Sequence, residues 1–198
     1  MRHLVITIGC EYGAKGNAIG RKIAEDLNIK FYNRDLVDEI IEEVGIPKEI
    51  MEKVEEGGTI AGKGAEGDVR GSFSKYADLT DRAIHVQKQI IRKLAEKESC
   101  VIIGRSADYI LKDRDDVLNV FIHGDMPEKT QRIMDLYNVG EKEAVKMMAD
   151  TDKRRMTNYN FYTDQKWGKA SNYTLCLNSS QLGYNRCEKI IMECSCNP

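Results

Sequence analysis

Gly9, Gly13 and Gly16, with Lys15 among them, lie between an apolar run and an amphipathic one in "ITIGCEYGAKGNAIGRKIAEDL", Ile6 to Leu27. Glycine lets a backbone bend through positive φ and approach a ligand closely. Backbone N–H groups at a helix start, helped by a lysine, make such a bend a seat for an anion such as phosphate. The G-x-x-x-x-G-K-[ST] phosphate loop is not present as written. Counting from Gly9 gives Ala14-Lys15, then Gly16 where Ser or Thr would hold Mg²⁺. The stretch reads either as an altered phosphate loop or as a tight glycine-rich turn.

Two further segments carry charge at comparable positions. "VIIGRSADYIL", Val101 to Leu111, ends an apolar strand in Gly104-Arg105, with Asp108 three residues on. Guanidinium offers phosphate a bidentate fork, and a carboxylate accepts from an amino or hydroxyl group. A surface Arg105–Asp108 pair is the simpler reading of that segment alone. "DKRRMTNYNFYTDQKWG", Asp152 to Gly168, places Lys153, Arg154 and Arg155 in succession before a run of aromatics. Mobile cations of this kind neutralise the charge that spreads over a transferring phosphoryl group. In isolation the run reads as a solvated helix end, and Tyr159, Phe161, Tyr162 and Trp167 read as packing.

The elements that must hold these residues alternate in type. His3–Ile8, Lys30–Tyr32, Cys100–Ile103, Val117–Ile122 and Leu175–Leu177 read as short strands. Gly16–Leu27, Arg34–Val44, Asp81–Lys97, Glu141–Asp150 and Arg186–Glu193 read as helices, and Asp125 and Pro127 open another with Glu128 as capping partner. Alternation with strands apolar on both faces predicts an α/β fold, a parallel sheet flanked by helices. Ligands on such sheets bind at the carboxyl ends of the strands, where all three segments begin. Glu55 to Gly71 holds six glycines and almost nothing to bury, so it reads as a flexible insertion. Its Gly57–Gly64 spells G-x-x-x-x-G-K-G without a strand before it or a helix after it, and is set aside as the main site.

With 198 residues, 31% of them charged and 41% hydrophobic, the chain fits one domain with a proper core. A formal net charge of −2 gives no reason to expect nucleic acid as a partner. No run approaches the roughly 20 apolar residues of a membrane span, and the N-terminal apolar run is too short for a signal peptide. A cytoplasmic location is expected, with the six scattered cysteines reduced. Neither they nor the three histidines form a metal-ligand pattern, so any metal ligands stay unassigned.

Taken in order, "ITIGCEYGAKGNAIGRKIAEDLNIKFYNRDLV", "VIIGRSADYIL", "VFIHGDMPEKTQRI" and "DKRRMTNYNFYTDQKWGKASNYTLCLNSSQLG" resemble the cytidylate-kinase-like proteins, a branch of the phosphate-loop nucleoside monophosphate kinases. The resemblance implies a three-layer phosphate-loop kinase fold over 1–198, with a flexible acceptor-side insertion within 36–80 and a basic lid at 150–170. It implies ATP and Mg²⁺ as cofactors and transfer of a phosphoryl group to a nucleoside monophosphate or similar small acceptor. By position, Gly13, Ala14, Gly16 and Asn17, with Lys153, would hold the donor; Lys15, Arg154 and Arg155 would be catalytic. Asp35, Arg105 and Asp108 would bind the acceptor, in a cleft lined by Asn33 to Asp35. The chain departs from the family pattern at the missing Thr, at the one-residue gap needed to make Lys15 the phosphate lysine, and at Ser106 after Gly104-Arg105. A nucleotide-binding protein that no longer transfers phosphate is the alternative reading, and an inert scaffold a third.

Overall fold

The computed structural model describes residues 3–47, 49–51 and 70–196. Residues 55–69 of the expected insertion, Gly57–Gly64 among them, lie outside those described.

Five parallel strands form one sheet in the order β2-β3-β1-β4-β5. They are β1 (Val5–Cys10), β2 (Lys30–Tyr32), β3 (Cys100–Ile103), β4 (Val117–His123) and β5 (Leu175–Asn178). The described helices with full bounds are α1 (Gly16–Leu27), α2 (Arg34–Glu43), α3 (Arg70–Lys97), α4 (Ala107–Ile110), α5 (Met126–Tyr137), α6 (Glu141–Tyr162), α7 (Ser179–Leu182) and α8 (Tyr184–Cys196).

Side chains of a strand alternate between faces, and here each face meets its own core. Ile6, Ile8, Val101 and Ile103 pack with Ile19 and Ile23 of α1 and Cys187 and Ile191 of α8. Val5, Cys100 and Ile102 pack on the other side with Val37 and Ile41 of α2 and Ile91 and Ala95 of α3. The result is the expected three layers, helices on both faces of a parallel sheet. Gly20 belongs to this packing: a Cβ there would stand 2.6 Å from Ile103 Cδ1, so α1 sits close against the sheet.

The first strand is shifted from its predicted span. It starts at Val5 and runs on through Gly9 and Cys10, because these two pair with Phe121 and Ile122 of β4. Extra ladder partners carry the strand past the apolar run that sequence periodicity detects. The bend is thereby confined to Glu11–Lys15, with Gly13 at φ 85° and Lys15 at φ 61°. The capping box expected at Asp125 does not form. The Asp125 carboxylate instead accepts from Asn178 Nδ2 (2.8 Å) and from Gln181 Nε2, tying the start of α5 to β5 and α7. Among the described residues no helix is long and apolar enough to cross a membrane.

Candidate functional site

Parallel register brings the ends of β1 and β3 level, Ile8 beside Ile103, so the bend after Cys10 and the turn after Gly104 open on the same side. A cavity of about 380 Å³ lies there. Its floor is Gly9, Cys10, Gly104 and Arg105; Gln87 and Lys88 of α3 form one wall. Arg154, Arg155 and Tyr159 of α6 form another, and Trp167 and Tyr173 close it from the following loop.

Glu11 in the loop after β1 points away to α5, where its carboxylate meets the buried Lys129 ammonium at 2.5 Å and accepts from the Gly124 N–H at 3.3 Å. Tyr12 N–H donates to Asp152 Oδ1 at 2.8 Å. Arg155 Nη1 donates to the Cys10 carbonyl at 3.2 Å and lies 3.5 Å from the same Asp152 oxygen. The guanidinium also stands 5.4 Å from the Tyr12 ring centroid. Helix α6 is therefore fastened to the loop by one carboxylate and one cation. Burial pushes the Asp152 carboxyl up from its ordinary pKa, and the Tyr12 N–H and Arg155 oppose that shift.

Lys15 takes the left-handed position before α1 and is exposed. Its ammonium lies over the Tyr184 ring of α8, 4.2 Å from the centroid, and the Arg132 guanidinium lies 5.0 Å from that centroid. Counting from Cys10 instead of Gly9 puts Gly16 in the place of the phosphate lysine. That place is closed to side chains. A Cβ on Gly16 would stand 2.6 Å from Cys10 Cβ and 2.7 Å from its Sγ. Gly13, Ala14, Gly16 and Asn17 make the bend and the first turn of α1, whose leading N–H groups have no intrahelical acceptors.

The second segment turns through three consecutive positive φ values: Gly104 at 68°, Arg105 at 56° and Ser106 at 53°. Left-handed conformations cost non-glycine residues roughly 1–2 kcal/mol each, so the surrounding contacts must hold this turn. Arg105 does not pair with Asp108. Its Nη2 donates to Asp38 Oδ1 on α2, and its carbonyl accepts from Gln87 Nε2 at 3.2 Å. Asp108 is buried and accepts from Tyr159 Oη at 2.6 Å; Tyr159 Oη also lies 2.8 Å from Gln165 Oε1. Burial pushes the Asp108 carboxyl pKa up, and the Tyr159 hydroxyl pulls it part of the way back. A folded pKa above the unfolded one means this group's contribution is full at low pH and falls as pH rises through the folded value. Tyr159→Phe takes away the opposing hydrogen bond, so its cost grows with pH. We expect about 1–3 kcal/mol at pH 8 and less at pH 4. Urea denaturation at both pH values checks this, and an equal cost at the two would refute it.

The structure thus brings Arg105, Asp108, Arg154 and Arg155 to one cavity. It does not bring Asp35, which sits on the exposed first turn of α2 and accepts from Asn33 Nδ2 at 3.4 Å. Asn33 is the N-cap of that helix, its Oδ1 accepting from Leu36 N–H at 3.0 Å, and the inward carboxylate comes one turn later at Asp38. Arg34 does line the cavity. Lys153 faces a separate open groove beside Tyr12 and Met147, and Arg154 borders both spaces. Sequence reasoning missed Asp38, Gln87 and Asp152 as site residues. Gln87 left a trace, as a polar residue within the buried stripe Ala83, Ile84, Ile90, Ile91. Asp38 sits between Val37 and Ile41, the buried residues of α2.

With this geometry in view, comparison with known proteins is decisive for the family: residues 5–181 match the cytidylate kinase-like family. The chain belongs to that family. This cytidylate kinase-like protein is similar along its whole length to an uncharacterized protein from Eubacterium ventriosum, at 29% identity and a TM-score of 0.78, with 99% of this chain and 100% of the other covered. Shikimate kinase from Bacteroides thetaiotaomicron is similar at 15% identity and a TM-score of 0.53, with 96% of each chain covered. A gluconokinase from Sinorhizobium meliloti is similar at 16% identity and a TM-score of 0.53, covering 98% of this chain and 94% of the other. At such identities the two kinases show a shared fold. No curated protein matches the cytidylate kinase-like chain. Its fold is the phosphate-loop kinase fold expected from the sequence.

Proposed function

We propose that this protein is an ATP-dependent phosphotransferase acting on a nucleoside monophosphate or a similarly small anionic acceptor. The observation that carries the reading is the cavity at the loop, where Arg105, Arg154 and Arg155 meet beside the end of β1. Cations converging from separate elements in one cleft suit phosphoryl transfer, which depends on positioning and charge neutralisation more than on a strong base.

The residues present fit a donor phosphate at the bend: Gly13 supplies positive φ, and Gly16 keeps the first turn of α1 clear of side chains. Among the described residues no group of three or more His, Cys, Asp or Glu side chains gathers as a metal cage. Mg²⁺ bound by one or two carboxylates and phosphate oxygens needs none, and Asp152 is the carboxylate that faces the loop, while Glu11 turns away to Lys129. When bound, Mg²⁺ neutralises phosphate charge. Arg155, fixed by the Cys10 carbonyl and Asp152, would hold its guanidinium at the loop. Arg154, on the border of cavity and groove, would shift between donor and acceptor. Lys15 would add a charge only by leaving the Tyr184 ring. Arg105 would hold the acceptor's anionic end, and Asp108, linked to Tyr159, the shape of the cleft.

A nucleotide-binding protein without transfer is the second reading, favoured by Gly16, since no lysine can occupy that place with Cys10 beside it. ADP release from ATP and Mg²⁺ is the test, with CMP, UMP, AMP, GMP, shikimate and gluconate as acceptors and a no-acceptor control. Acceptor-dependent release is expected with a nucleoside monophosphate. Release with shikimate or gluconate alone would keep the kinase and discard the nucleotide acceptor. ATP binding without release from any acceptor would favour the second reading.

A further inference from the structure

Lys129 is 5% exposed, a depth at which lysine is rare unless paired. It stands near the start of α5, and its stem packs against the bend after β1. A Cβ on Gly13 would lie 3.1 Å from Lys129 Cβ, and one on Gly124 would lie 3.3 Å from Lys129 Cγ. Two glycines thus make room for this one stem. Its ammonium meets Glu11 Oε2 at 2.5 Å, and the same oxygen accepts from the Gly124 N–H at 3.3 Å. Glu11 belongs to the bend itself and is only part-buried, so its side chain has room to turn elsewhere.

The carboxylates of Glu11 and Asp152 stand beside the bend, each with its own cation, Lys129 and Arg155. These charges feel one another. Besides burial, which raises it, the Asp152 carboxyl pKa is lowered by Arg155 and Lys129 and raised by Glu11. Donor phosphates at the bend would bring several more negative charges. An unpaired carboxylate a few ångströms from them would oppose binding, since the protein screens charge far less than water does. We infer that Lys129 is a positioning residue for the donor: it turns the Glu11 carboxylate away from the bend and cancels its charge, so that phosphate meets N–H groups there and not an acid. This deepens the donor reading above and rests on it. Lys129 need not touch the donor to do so. Its pairing with Glu11 is the function, and the empty Cβ place on Gly13 lets α5 approach closely enough to make it.

Isothermal titration of ATP into wild type, Lys129→Met and the double variant Lys129→Met with Glu11→Gln tests this, with a melting curve for each protein. Methionine keeps the stem packed against Gly13 and removes the charge. Lys129→Met is expected to bind ATP about tenfold more weakly, because Glu11 then stands at the bend with no cation against it. Adding Glu11→Gln is expected to bring the affinity back to within about threefold of wild type. A brace of the loop would not be restored by a second substitution that returns no packing. Equal binding by wild type and Lys129→Met would mean that the Glu11 charge does not reach the donor, and a double variant no better than Lys129→Met would mean that Lys129 only braces the loop; each overturns the inference. If Lys129→Met does not fold, Glu11→Gln alone decides. Its amide oxygen still accepts from Gly124 while Lys129 keeps its charge, so ATP is expected to bind about threefold more tightly, and unchanged or weaker binding overturns the inference. ATP binding to none of these proteins, wild type included, would remove the donor reading and the role of Lys129 together. ATP binding that ignores Lys129 removes only the latter.

Discussion

Arg155→Met is expected to lower acceptor-dependent turnover by about 10²–10³-fold with little change in stability. The side chain has two ties to the end of β1 and its loop, the Cys10 carbonyl at 3.2 Å and the face of Tyr12 at 5.4 Å, and a third to Asp152 of its own helix at 3.5 Å. All three are partly exposed pairings of modest worth for folding. Their value lies in placement. They hold a planar cation between the bend that would carry the donor phosphates and the cavity that would carry the acceptor. Methionine keeps the stem's packing and removes the charge and the fork. Arg155→Lys keeps the charge without the fork and should fall between wild type and Arg155→Met, since lysine offers a point charge on a flexible stem. The check is kcat and KM from ADP release, with a melting curve for each variant. An unchanged kcat in Arg155→Met would take Arg155 out of the catalytic group and leave the work to Arg154 and the loop's N–H groups.

The second large effect concerns the loop itself. Installing lysine where the register counted from Cys10 would have it, Gly16→Lys, is expected to destabilise the protein by about 1–3 kcal/mol and to restore nothing. The obstacle is a near neighbour with no room to swing away, since the new Cβ would lie 2.6 Å from Cys10 Cβ. Cys10 is the residue that stands where a G-x-x-x-x-G-K loop counted to Gly16 has its first glycine. The loop therefore holds its two sizes in reverse: the larger side chain at the strand end, and none at the helix start. Cys10→Gly with Gly16→Lys should recover most of the lost stability, because removing the Cys10 side chain vacates that space. Urea midpoints of the two single variants, the double variant and wild type form a cycle with a favourable coupling. A Gly16→Lys protein as stable as wild type, or a double variant no better than Gly16→Lys, would show that the two positions do not share that space.

The comparison of sequence and structure is most informative where neighbours in space are far apart in the chain. Short apolar runs separated by 3.6-period segments were enough to read five strands, a parallel sheet and helices on both faces, because strand and helix periodicities are local properties of the chain. Gly104-Arg105 was legible as charge at a strand end, whereas Lys153 to Arg155, read as following a helix, lie in the middle of α6. Helix α6 was legible only to Asp150; it continues to Tyr162, burying Tyr159 beside Asp108 through contacts that its own sequence does not announce. Asp152 could be read as one more charge in a polar helix, and only its placement against the Tyr12 N–H gives it a partner.

By itself, then, the sequence determined the α/β order, the family and the two segments at the ends of β1 and β3, since each follows from residue types in succession. The third, Asp152 to Gly168, was expected at a strand end and begins inside α6. The tertiary structure alone decided that Arg105 pairs with Asp38 and not Asp108, that Asp35 faces away, and that Cys10 closes the place beside Gly16. It also decided that Gln87, on the buried face of α3, donates to the Arg105 carbonyl. Each of these is a matter of which face of one element meets another, and packing sets that only when the whole chain is assembled.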